Sequence, residues 1–227
     1  MMVGLTGDAP RLRQIRRQLR RLVPNHVVRL ATPLQPTIDR ALAAFGYRKE
    51  HWVRVVQRQD WRRVLSAIAS KQTDILEISP GESSPWKDLP ARSYTTVDYP
   101  EFDITSSALA RQFDIIIAEQ VFEHLSDPDA AARNVRTMLS DAGVFLIATP
   151  FLVKVHGPPA YGDYTRWTLD GLRLFLQRNG FKDVTVRAWG NRAAARANLY
   201  GWRSFGWGRD LSNDPDFTVV VWAYAHR

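Results

Sequence analysis

The stretch DILEISPGES, residues 74–83, decides the fold. Three apolar residues, Ile75, Leu76 and Ile78, are interrupted by one acid, Glu77, and a run of small and turn-forming residues follows. A short apolar run stopped by a tight turn is the pattern of a buried parallel strand handing over to a loop. In open α/β sheets ligands bind outside the carboxyl ends of the strands, where such loops lie. Gly81 sits in the turn, and a residue without Cβ lets backbone approach a ligand closely.

Further elements follow in a fixed order. Ser93 to Val97 is a second β-rich run and Asp98 stands at its end, about 20 residues beyond the first strand, where a carboxylate can bond both hydroxyls of a ribose. Phe113 to Ala118 is apolar throughout, as a central strand is, and Glu119 and Gln120 end it. Asp127 followed by Pro128 is an N-cap and first-turn pair, opening a helix whose inward face is Ala131, Val135, Met138 and Leu139. The turn at Asp141, Ala142 and Gly143 leads to a strand over Val144 to Ala148. Thr168 is the N-cap of another helix that closes at Asn179 and Gly180, and strands are expected over Phe181 to Arg187 and Thr218 to Ala225.

Over roughly Lys71 to Phe181 this order resembles the class I S-adenosylmethionine-dependent methyltransferases, in the small-molecule branch. The resemblance implies a Rossmann-like, doubly wound, seven-stranded mixed sheet, S-adenosyl-L-methionine as cofactor and S-adenosyl-L-homocysteine as product. Glu77 matches the family's acid, but the three glycine positions after it read Ser79, Gly81 and Ser83. Carried over residue by residue, the cofactor contacts are Glu77, Ser79, Gly81, Asp98, Asp103, Ile104, Glu119 and Gln120. Asp103 and Ile104 occupy the place where the family meets the adenine. Only about six residues separate the loop from Pro90, so the first crossover helix must be short; from Asp98 to Phe113 there is no room for a full helix and strand. AEQV after Ile117 is not the Asn/Asp-Pro-Pro-aromatic pattern of many nitrogen-directed relatives.

HGPPAYGDYTRWT, residues 156–168, is a loop dense in polar and aromatic side chains, and such loops often carry sites. Methyl transfer from a sulfonium is an in-line displacement, and a hydroxyl nucleophile also needs a group that takes its proton. His156 is the first candidate base and His124, in the glutamate–histidine segment at 123–124, the second. Either imidazole can equally hold its loop to backbone. Tyr161, Asp163, Tyr164 and Arg166 are candidate substrate contacts, with Asp163–Arg166 also readable as a structural brace. Trp189, Asn191 and Arg192 open a tryptophan-rich insertion at 189–214 that suits a sugar ring or, equally, a hydrophobic cover. No spacing of Asp, Glu and His marks a metal; Mg2+ is open but not indicated.

The net charge of +8 is uneven. Residues 1–70 hold 14 basic and 4 acidic residues, a net of +10, and the other 157 residues a net of −2. Residues 1–70 are therefore read as a basic helical extension, with helices over Arg11 to Val23, Pro36 to Phe45 and Asp60 to Ser70, and 71–227 as the methyltransferase domain. The third helix takes Asp60 as N-cap and turns Trp61, Val64, Leu65 and Ile68 inward. With no cysteine, thiolate chemistry and disulfides are excluded. No apolar run reaches the length that spans a bilayer, and a cytoplasmic enzyme, with a homodimer open, is expected. O-methylation of a small polyhydroxylated acceptor such as a sugar is the leading reading. An RNA methyltransferase using the basic helix and a non-catalytic scaffold are the alternatives.

Overall fold

A computed structural model describes residues 50–81, 84–157, 162–199, 205 and 209–227. The two helices expected up to Phe45, together with Ser83, Tyr161 and residues 200–204 and 206–208 of the tryptophan-rich insertion, lie outside the described residues. Among the described residues six strands of the expected mixed sheet are seen, in the order β2-β1-β3-β4-β6-β5. They are β1 (Asp74–Ile78), β2 (Ser93–Val97), β3 (Phe113–Glu119), β4 (Leu139–Pro150), β5 (Lys182–Gly190) and β6 (Thr218–His226). β2, β1, β3 and β4 are parallel, while β6 runs antiparallel to both β4 and β5.

The sheet is covered on both faces, and alternation along each strand sorts the core into two halves. Leu76, Ile78, Ile116, Ala118, Phe145, Ile147, Val221 and Ala223 face helices α2 (Pro128–Met138) and α3 (Leu169–Arg178). Ile75, Ile115, Ile117, Leu146, Val220, Trp222 and Tyr224 face helices α1 (Val55–Ile68) and α4 (Arg192–Leu199). Both expected caps form: Asp127 accepts from the Ala130 amide at 2.9 Å and Thr168 from the Gly171 amide at 3.0 Å. Gly180, at φ +84°, turns the chain out of α3.

Three expectations are corrected. α1 starts at Val55, so Asp60 is no N-cap. It sits inside the helix, buried, and accepts from Trp222 Nε1 at 2.8 Å, from Arg187 at 2.7 Å and from the Tyr224 hydroxyl. Its carboxylate is used to fasten α1 to β5 and β6. Ile68, expected inward, is 42% exposed because it ends the helix and the chain leaves in extended conformation at Ala69. The first crossover is reduced from a short helix to a turn over residues 85–88, where Trp86 is buried against Trp61. β4 is also longer than its apolar centre. Its partner advances from Phe113 to Ile115 while β4 passes from Leu139 to Val144, so the turn residues form a bulge inside the strand.

Asp60→Ala leaves the indole N–H of Trp222 and the hydroxyl of Tyr224 buried without an acceptor, each worth about 1–3 kcal/mol. Denaturant titration should show a loss of about 3 kcal/mol, and a loss below about 1 kcal/mol would show that the carboxylate does not fasten the helix. At the other end of β1, hydrogen bonds from Arg92 and Ser93 hold the Asp74 carboxyl well below the usual range. A group depressed in the folded state stabilises above its unfolded value of about 3.9 and loses that contribution as pH falls. Asp74→Asn should therefore lower the melting temperature at pH 7, and the gap to the parent should shrink below about pH 4.

Candidate functional site

The carboxyl ends of β1, β2 and β3 open onto a cavity of about 350 Å3. Ser79 and Gly81 line it after β1, Asp98, Asp103 and Ile104 after β2, and Gln120 after β3. The structure thus brings together six of the eight residues assigned to a cofactor. Ser79 takes φ +50° and Gly81 φ +66°. A left-handed conformation suits glycine, and Ser79 adopts it while its amide bonds the Val97 carbonyl at 2.8 Å. Asp98 accepts the Tyr99 amide on Oδ1 at 3.0 Å, which leaves Oδ2 with bonding capacity. Asp103 holds Thr105 through Oδ1, and buried Ile104 gives the cavity an apolar wall.

The other two acids lie beneath this cavity. Glu77 is buried in β1 and accepts from Ser84 at 2.8 Å and from the Tyr94 hydroxyl; burial raises its carboxyl above the ordinary value. Glu119 accepts from Arg58 Nε at 2.7 Å and Trp86 Nε1 at 3.2 Å, and Arg54 stands 3.8 Å away. Glu77 thus ties β1 to β2 and to Ser84, and Glu119 ties the end of β3 to α1 and Trp86. Gln120 differs: both side-chain amide atoms are buried with no hydrogen-bond partner among the described residues, on a residue that lines the cavity. An unsatisfied amide at the end of a central strand fits a polar ligand that would complete it. Together with the open space over Gly81, where an added Cβ would meet nothing within 4 Å, these residues fit a nucleoside-bearing cofactor.

Beside the cavity the segment after β3 meets the loop after β4. A 3-10 turn over Phe122–His124 places Glu123 inside the protein and His124 on the cavity wall. The amides of Tyr164 and Thr165 both donate to the Glu123 carbonyl, at 2.7 and 3.3 Å. His124 Nδ1 lies 2.7 Å from the Gly162 carbonyl, which can only accept, so the proton is on Nδ1. His156 Nδ1 lies 3.2 Å from the Lys154 carbonyl and 3.4 Å from Asp163 Oδ2. Arg166 approaches the same nitrogen at 3.5 Å, the longest of the three contacts; the carbonyl and carboxylate decide the tautomer, again Nδ1–H. The two rings meet edge to face with centroids 5.0 Å apart, and each Nε2 points toward Glu123 Oε1, at 3.7 Å from His124 and 4.0 Å from His156.

Glu123 is completely buried, and neither carboxylate oxygen accepts a hydrogen bond from another described residue. Burial pushes its carboxyl up to about 8, against its own backbone amide and the opposing charges of Arg54 and Arg166. Burial also lowers His156 below its ordinary value. Burial alone would raise the Asp163 carboxyl too, but hydrogen bonds from Arg166 and the His156 amide outweigh it and the net shift is downward. Asp163 pairs with both terminal nitrogens of Arg166 and accepts the His156 amide at 2.8 Å, so the pair braces the loop that carries His156. Tyr164 is 61% exposed and lines the cavity, with Tyr99 at 55% on its other side.

The tryptophan-rich candidates are not brought to this place. Trp189 is buried on the α1 face and donates to the Leu211 carbonyl at 3.0 Å; Asn191 caps α4 through the Ala194 amide at 2.8 Å. Arg192 lies over the Phe217 ring at 4.8 Å. Sequence reasoning missed Glu123 itself, and also Tyr99 and Phe102 on the cavity wall. The signal for Glu123 was an acid flanked by Phe122 and His124 in an apolar stretch, where a charge has no solvated face to occupy.

Residues 15–192 match a family model described as a methyltransferase domain. The chain belongs to that family, within the class I S-adenosylmethionine-dependent methyltransferases. The match begins inside the basic segment, ahead of the boundary expected at residue 70. No curated protein matches the chain significantly. Among solved structures the fold is similar to Haemonchus contortus phosphoethanolamine N-methyltransferase 2 in complex with S-adenosyl-L-methionine, with 11% identity and a TM-score of 0.53. That alignment covers 76% of this chain and 52% of the other, so this chain spans about half the length of that protein. The [4+2]-cyclase SpnF aligns with 13% identity and a TM-score of 0.53, over 88% of this chain and 94% of its own. A methyltransferase from Clostridium acetobutylicum aligns with 9% identity and a TM-score of 0.51, over 77% and 95%. At these identities the likeness is one of fold. No helix among the described residues is long and apolar enough to cross a membrane.

The positive φ at Ser79 gives a direct test of the loop. Ser79→Gly should stabilise the protein by about 0.5–1 kcal/mol, because the left-handed conformation costs a residue with a Cβ about 1–2 kcal/mol and part of that is returned as unfolded-chain entropy. A destabilised variant in denaturant titration would show that the serine side chain, not the backbone conformation, governs the turn.

Proposed function

We propose that the protein transfers the methyl group of S-adenosyl-L-methionine to a hydroxyl of a small polyhydroxylated molecule, a sugar or glycan precursor, in the cytoplasm. The observation that carries this reading is the junction of the cofactor-sized cavity with the Glu123–His124–His156 cluster. Amines lose a proton readily once methylated, whereas a hydroxyl acceptor needs its proton handled at or before attack. A buried acid with two imidazoles turned toward it, one of which, His124, stands on the wall of the cavity, is placed for that task.

The parts divide as follows. Asp98 takes the ribose hydroxyls by charge-assisted bonds, Ile104 and Asp103 take the adenine, and Gln120 with the Ser79–Gly81 turn receives the amino-acid end. The sulfonium is already an activated leaving group, so the protein's work on the methyl carbon is alignment of the incoming oxygen behind it. The exposed rings of Tyr164 and Tyr99 offer faces on which the C–H side of a sugar can stack. The Asp163–Arg166 pair keeps the acceptor side of the cavity in place. The sugar assignment rests on these tyrosines and on the chemistry of the cluster. It does not use Trp189 or Asn191, which are buried as structural anchors.

Calorimetric titration with S-adenosyl-L-homocysteine should give one site, and Asp98→Ala should weaken it by about 10–100-fold, as loss of a charged hydrogen-bond partner does. Incubation with labelled cofactor and a panel of sugars, sugar phosphates and amines should label the hydroxylated acceptors. His124→Ala should lower kcat by about 10²–10⁴ while homocysteine-product binding stays within a few fold. Labelling confined to amines would overturn the hydroxyl assignment, and a folded protein that binds no cofactor product would overturn the enzyme reading in favour of a scaffold.

A further inference from the structure

We propose that Glu123, His124 and His156 together hold a divalent transition-metal cation at the edge of the cavity. One ligand atom from each residue lies within 4.8 Å of the other two, and the set is one carboxylate oxygen with two imidazole nitrogens. Around a cation with ligand bonds of about 2.1 Å, neighbouring ligand atoms stand about 3–3.5 Å apart. The separations of 3.7 and 4.0 Å from Glu123 Oε1 therefore need only a small inward rotation of the rings.

Two independent features point to a cation rather than to a packed polar cluster. The first is Glu123, fully buried with no hydrogen bond to either carboxylate oxygen from another described residue. A buried carboxylate normally has its bonds made, and leaving them unmade is costly. The second is the way both rings are held. His124 gives its Nδ1 proton to the Gly162 carbonyl, and His156 gives its own to the Lys154 carbonyl beside Asp163. A metal-ligating histidine is characteristically fixed through its other nitrogen to a carbonyl or carboxylate, which sets the tautomer and places the lone pair on the ligating atom. Both rings satisfy that arrangement, and in both the lone pair is on the nitrogen facing Glu123. The nearby guanidinium of Arg166 is neutralised by Asp163, and Arg54 stands by Glu119, so the net field at the cluster does not exclude a cation.

Ligand chemistry selects the ion. Two imidazoles and one carboxylate favour Zn2+, Mn2+, Fe2+ or Co2+ over Mg2+ and Ca2+, which prefer all-oxygen sets. Three protein ligands leave coordination positions open, and His124 puts the site on the cavity wall. The inference deepens the acceptor reading above and rests on it for the next step alone. An acceptor hydroxyl bound there is acidified and releases its proton to water. Its oxygen then forms the C–O bond as the methyl C–S bond breaks and that electron pair stays on sulfur, giving the neutral thioether product.

The test uses the full chain, stripped with chelator and titrated separately with Zn2+, Mn2+ and Mg2+, with metal content measured after dialysis. One equivalent of Zn2+ or Mn2+ should bind, with Mg2+ at least about 100-fold weaker. Glu123→Gln, which keeps the side-chain volume, and His156→Ala should each weaken binding at least 100-fold, and Asp163→Asn about 10–100-fold by loosening His156. Product-cofactor binding, measured on every variant, reports that the fold is intact and that the cofactor reading holds separately. Wild-type protein that binds the product but no metal at millimolar Zn2+ and Mn2+ would overturn the site. So would metal binding that survives both Glu123→Gln and His156→Ala. Metal bound as expected without methylation of any hydroxylated acceptor would leave the site standing and overturn the acceptor reading instead.

Discussion

The Glu123 carbonyl is the point on which the site depends. It accepts two amides, from Tyr164 and Thr165, and so ties the turn after β3 to the loop after β4. Both segments leave parallel neighbouring strands at their carboxyl ends, where an open sheet offers no side-to-side support. At that junction Gly162 comes within reach of His124, and Asp163 within reach of the His156 amide. His124 and His156, 32 positions apart, meet edge to face beside that junction. This also explains why Asp163–Arg166 is an internal brace: its carboxylate is used on the His156 segment and its charge on Arg166.

The sheet beneath supplies the rigidity the junction requires. β3 and β4 are buried on both faces, and their inward residues belong alternately to two cores. A one-residue slip of β3 would exchange the two faces and carry Gln120 away from the cavity. Asp60 adds a polar fastening on one face, joining α1 to β5 and β6 through Arg187, Trp222 and Tyr224. The helix upstream of β1 is thereby part of the same core as the sheet, with Trp61 and Leu65 fully buried.

The elements that sequence made legible are those whose signals are local. β1, β2 and β3 were readable from apolar runs ending in turn residues, and α2 and α3 from Asp127–Pro128 and Thr168. Ser79, Gly81, Asp98 and Gln120 follow closely on strand ends and share that local signal, whereas Asp103 and Ile104 were placed by the family resemblance alone. What was not legible depends on partners far along the chain. Asp60 has the residue type of a cap, yet its acceptors are used by residues more than 120 positions away. Trp189 and Asn191 have the composition of a sugar site, yet they are buried by contacts with the 210–212 segment. The Glu123–His124–His156 cluster has no sequence spacing at all, because the loop that delivers His156 is positioned by backbone bonds that side-chain identity does not encode.

Two acids four residues apart show how the protein separates structure from chemistry. Glu119 ends β3 and Glu123 lies in the 3-10 turn that follows, and burial imposes on each the same kind of desolvation cost. Glu119 is matched by Arg58, Arg54 and the Trp86 indole, so its charge is compensated where it stands. Glu123 is not: its carboxyl is pushed up to about 8 by burial, and the groups turned toward it are imidazole nitrogens that carry no proton to offer. The sequence could have removed that cost with glutamine or with an apolar residue filling the same volume. An acid kept there, its carboxyl raised by burial and beside two oriented histidines, is the kind of perturbed group that clusters at functional sites.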